Sequence, residues 1–155
     1  MSEEQNIIST CSEYVADEEN LARIIFSPSM IYEGAIAPSA FNLVRLKSGT
    51  DEDYVSVNRM DYWQPTFENC IKYRPRVKGD TIAGYAQITA YEVRLCATEE
   101  IRTEVDAHPS KNNPFHAGIS YTAGADLIKG HCETPDFLIV TSMLAAQSFF
   151  VSFDK

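Results

Sequence analysis

The stretch IRTEVDAHPSKNNPFHAGISY, Ile101 to Tyr121, decides how the chain is read. Its first residues alternate: Ile101, Thr103, Val105 and Ala107 fall on one side, Arg102, Glu104, Asp106 and His108 on the other. A period of two marks a half-buried strand. The loop His108 to Pro114, HPSKNNP, is polar, and Phe115 to Tyr121, FHAGISY, resumes as a strand. Two strands joined by so short a loop pair antiparallel. The pairing brings His108 and His116 to the same loop end.

Working outward, Thr81 to Cys96, TIAGYAQITAYEVRLC, is the longest strand candidate, apolar on both faces and therefore central, or bent at Gly84. The polar connector Ala97 to Glu100 makes it the antiparallel hairpin partner of Ile101 to Ala107. Downstream, a short helix is expected around Ala125 to Lys129, stopped by Gly130. Thr134 then caps a final helix running to about Phe149, with Pro135 at its first position and Asp136 in its first turn. That helix is apolar around most of its circumference and should cover the sheet.

Upstream, Leu21 to Phe26, LARIIF, reads as a buried strand, and Ser39 as the N-cap of a short turn through Leu43. Tyr54 to Arg59 alternates, with Val55 and Val57 on one face and Tyr54, Ser56 and Asn58 on the other. Thr66 caps a short helix, Phe67 to Lys72. The expected fold is α+β: a mainly antiparallel twisted sheet with a C-terminal meander at about 81–121, packed by a C-terminal helix at about 135–149 and short helices. Residues 1–20 hold six acids and no Lys or Arg, which reads as an acidic, partly flexible arm with a short helix around Ser9 to Val15. Residues 21–155 read as one globular domain.

Composition narrows the function classes. With 155 residues, 45% hydrophobic and carrying 8 Phe, 8 Tyr and 1 Trp, the chain can fill a core without disulfide or metal staples. A net charge of −9 repels nucleic acid and anionic lipid over the surface as a whole. The basic run Lys72 to Lys78, KYRPRVK, stands against that background as a local anion-binding strip or a surface segment paired with acids. Phe137 to Val151 is too short and too interrupted to span a membrane. The acidic N-terminus lacks a secretory pattern, so the expectation is a cytoplasmic protein with reduced thiols.

The chemistry-bearing residues form no complete motif. G-x-S-x-G, H-E-x-x-H, G-x-x-x-x-G-K-[ST] and G-x-G-x-x-G are all missing from the sequence. His108 and His116 at one loop end can serve as acid and base, with Asp106 to orient an imidazole. Alternatively, His116 hydrogen-bonds the loop backbone and His108 is exposed. Arg23, embedded in an apolar run, and Arg59 need carboxylate or phosphate partners and are the candidate ligand-binding cations. His108, His116, His131 and Cys132, with Cys96 upstream, are the candidate metal ligands, but they lack the paired spacing of a zinc site, so no metal or cofactor is expected. Cys132 beside His131 is a candidate low-pKa thiol, against an ordinary loop cysteine.

RIIFSPSMIYEGAIAPSAFNL (Arg23 to Leu43), DYVSVNR (Asp53 to Arg59) and NPFHAGI (Asn113 to Ile119) together resemble small bacterial proteins of uncharacterised families. That resemblance implies no activity. Arg23 in an early strand, Ser56 in a strand and the later sheet are loosely similar to ADP-ribosyltransferase folds, which implies a ligand-binding role for Ser56.

Two functions follow as expectations. The first is a non-catalytic interaction or regulatory module that binds a protein or a small anionic ligand, with the aromatics Tyr62 and Trp63 as a candidate surface. The second is an enzyme for a phosphate- or nucleotide-like substrate, with His108 and His116 as acid and base and Arg23 and Arg59 binding charge.

Overall fold

The computed structural model describes residues 13–46, 48–62, 79, 81–111 and 113–153. The chain is α+β. Its strands are β1 (Asn20–Ser27), β2 (Ile31–Tyr32), β3 (Ala35–Ile36), β4 (Val55–Arg59), β5 (Thr81–Thr89), β6 (Ile101–Ala107), β7 (His116–Ala123), β8 (Asp126–Leu127) and β9 (Phe149–Ser152). The helices are α1 (Ala90–Leu95), α2 (Pro135–Gln147) and the 3-10 turns Pro38–Phe41 and Met60–Tyr62. Seven strands form one antiparallel sheet in the order β6-β7-β4-β1-β5-β9, with β8 added to β7. The remaining pair, β2 and β3, forms a small separate hairpin.

The expected alternation holds where it was clearest. Ile101, Thr103 and Val105 are buried in β6 while Arg102, Glu104 and Asp106 are exposed. Antiparallel pairing of β6 with β7 runs from Ile101 opposite Ala123 to Ala107 opposite Ala117. Val55 and Val57 of β4 enter the same core as Ala117, Ile119 and Tyr121 of β7 and Phe137, Val140 and Leu144 of α2. Each of the buried valine, isoleucine, leucine and phenylalanine side chains among them contributes about 1.5–3 kcal/mol.

Four expectations are corrected. The strand beginning at Thr81 stops at Thr89, where a capping box turns it into α1. The Thr89 side chain accepts from Glu92 N–H at 3.1 Å, while Glu92 Oε1 accepts from Thr89 N–H at 3.1 Å. Two donors that a helix start leaves unpaired are thereby satisfied. Because α1 carries the chain away, β5 does not form a hairpin with β6; it pairs with β1 and β9, with three strands between it and β6. Ser39 is not an N-cap but lies inside the 3-10 turn, donating to Ser29 O at 2.8 Å. The helix expected at 125–129 is a tight β-turn between β7 and β8, with Gly124 at φ 64°.

Of the helix expected at Ser9 to Val15, the described part, Glu13 to Val15, is not helical. The helix Phe67 to Lys72, Trp63 and the basic run Lys72 to Lys78 lie outside the described residues. The capping of α2 by Thr134, which accepts from Phe137 N–H, is as the sequence indicates. After Gln147 the chain forms a further strand, β9. Gly84 lets it approach β5, since a Cβ there would strike Val151 O and the Phe150 ring. Among the described residues, no helix is long and apolar enough to cross a membrane.

The end of the acidic N-terminal stretch is built into the fold. Val15 is buried, and Glu19 forms a two-pronged ion pair with Arg59, Nε to Oε1 at 2.8 Å and Nη2 to Oε2 at 2.9 Å. Removing one partner of such a pair strands the other charge in the core. Glu19→Ala is therefore expected to lower the unfolding free energy by about 3–5 kcal/mol, read from urea denaturation. The double change Glu19→Leu with Arg59→Met, which removes both charges, is expected to recover most of that loss.

Candidate functional site

The β6–β7 hairpin delivers both imidazoles to one place. His108 N–H donates to His116 O at 2.8 Å, and His116 Nδ1 lies 3.0 Å from His108 O. A carbonyl only accepts, so Nδ1 of His116 carries the proton. Tyr54, entering β4, lies between the two rings. It stacks on His108 with centroids 4.1 Å apart and planes 7° apart, and meets His116 edge-on at 5.8 Å. The platform beneath is Gly118, where a Cβ would run into the Tyr54 ring and the His108 ring. Burial first, then the carboxylates of Asp53 and Glu52, push the Tyr54 phenol above its usual range, so it stays a neutral donor at physiological pH.

The cluster sits on the face of the sheet away from α2. His116 pairs with Asn58 in register, and Gly118 with Ser56 and Asp106. Ser56 and Asp106 are thus on the histidine face. Asp106 is exposed, and among the described residues no hydrogen bond joins it to either imidazole.

Arg23 and Arg59 are elsewhere. Arg59 shares the parity of Val55 and Val57, and Arg23 that of Leu21 and Ile25, all members of the core against α2. Arg59 is 1% exposed, bound to Glu19, donates to Tyr14 O at 3.2 Å and lies 4.9 Å from the centre of the Tyr62 ring. Arg23, also buried, donates through Nε to Ala40 O at 2.8 Å and through Nη1 to Ser56 O at 3.1 Å. It ties β1 to the 3-10 turn and to β4. The two histidines and two arginines of the enzyme reading are split by the sheet, two on each side.

The remaining candidates are also occupied by structure. His131 turns to Glu133 at 2.9 Å and not to its neighbour Cys132. The Cys132 backbone is held on both sides by the Asn42 amide. Its sulfur lies 3.6 Å from the Thr134 hydroxyl. Cys96 is buried, and burial, followed by the Glu92 carboxylate, pushes its thiol up to about 11. Among the described residues no three His, Cys, Asp or Glu side chains are placed to hold a metal ion.

A second feature was missed in the sequence. From Phe137 to Phe153, 17 consecutive residues carry no charge, in a chain whose net charge is −9. Half of that apolar content is not used in the core. On α2, Phe137, Val140, Thr141 and Leu144 face inward, whereas Leu138 is 56% and Ile139 49% exposed. Helical spacing aligns Leu138, Ile139, Ser142 and Ala146 in one outward stripe, about 12 Å long at the α-helical rise. Beyond it is a groove of about 500 Å³ lined by Gly34, Ile36, Pro38, Ser142, Ala146 and Phe150. Next comes β9, the last strand of the sheet: Phe150, opposite Ala86, lines the groove, whereas Phe149, 70% exposed and opposite Gln87, belongs to the other side of the sheet. The signal was readable: a helix apolar all round has more apolar surface than one sheet can cover.

Compared with models of known protein families, with curated proteins and with solved structures, the chain matches none of them.

Two measurements check this geometry. Gly118→Ala forces Tyr54 off its platform and is expected to cost about 1–3 kcal/mol in denaturant unfolding, with the His108 ring-proton shifts moving as the stack opens. In the native protein at pH 8, peptide mapping after brief maleimide treatment is expected to find Cys132 labelled and Cys96 unlabelled, because the Cys96 thiol stays protonated and covered.

Proposed function

We propose that the chain is a non-catalytic interaction module that binds a protein partner through the uncharged face of α2, the adjoining groove and β9. The observation that carries this reading is the 17-residue uncharged run and the exposure of Leu138 and Ile139 within it, beside a groove closed by Phe150. Protein interfaces are depleted of charge at their centres and rich in aliphatic and aromatic anchors, and contiguous exposed apolar surface marks them.

A small anionic ligand has less support. Among the described residues, the buried guanidiniums are already bound, Arg59 to Glu19 and Arg23 to two carbonyls, and the half-buried Arg94 pairs with Asp17 and Glu104. The acids Glu52 and Asp53 act on Tyr54, beside the histidines, which disfavours an anion there. The enzyme reading loses its charge-binding partners for the same reason, because both arginines lie across the sheet from His108 and His116.

A photo-crosslinking side chain placed at position 139 tests the proposal in cells expressing the full chain. Discrete protein adducts are expected from position 139 and not from the exposed control position Glu99. Equal, diffuse labelling from both positions would remove the surface from consideration.

A further inference from the structure

We draw no further inference here: the strongest candidate, the cleft of about 440 Å³ that Cys132 lines between the start of β6 and the N-terminus of α2, rests on a lone cysteine beside a helix N-terminus, and nothing else among the described residues lining it points to a ligand.

Discussion

The ion pair between Arg59 and Glu19 is the constraint on which the arrangement turns. Their side chains are 2% and 5% exposed, and at that depth an unmatched charge costs several kcal/mol. Satisfying Arg59 forces the segment before β1 against the sheet and fixes where β1 begins. β1 is the strand on which both halves meet, β4 on one side and β5 on the other. Once residues 13–19 are docked, Asp17 and the carbonyl of Val15 meet Arg94 of α1, and Arg94 in turn reaches Glu104 and Val105 of β6. Guanidinium contacts thus run from the central strand to the edge. These cations hold the fold together, which is why they are not available to a ligand.

How much of this was legible depends on the range of the physics. The fold class, β1, β4, β6, β7 and the start of α2 follow from an apolar run, alternation and capping, which act within a few residues. The order of strands does not. Ala97 to Glu100 looks like a hairpin connector until Thr89 and Glu92 are recognised as a capping box hidden among strand-like residues, and then the chain has a helix in which to cross the sheet. The histidines were placed correctly because a hairpin is local. Arg59 was misjudged although its signal was present: it has the parity of Val55 and Val57 and must enter the core with them. Arg23 had no such signal, since both faces of LARIIF are apolar. Glu19 looked like one more solvated acid because its partner is 40 residues away.

The same reasoning explains the distribution of charge over the molecule. A protein with 22 acids and 13 bases needs most of its surface polar, and at β6 it combines charge with a capping arginine to close the edge. Had the C-terminal segment been only a cover for the sheet, its outer stripe could have carried lysine or glutamate without cost to the core, because Leu138 and Ile139 touch it little. Those positions are instead leucine and isoleucine, on a helix that continues into an uncharged edge strand. Exposed aliphatic surface on a monomer is a hazard. An uncharged aliphatic stripe on a chain of net charge −9, whose opposite edge strand is lined with charge and capped by Arg94, is consistent with a surface that is covered when the protein works. The histidine–tyrosine cluster on the other side has its phenol held neutral and its platform fixed by Gly118, with both imidazoles packed against the Tyr54 ring.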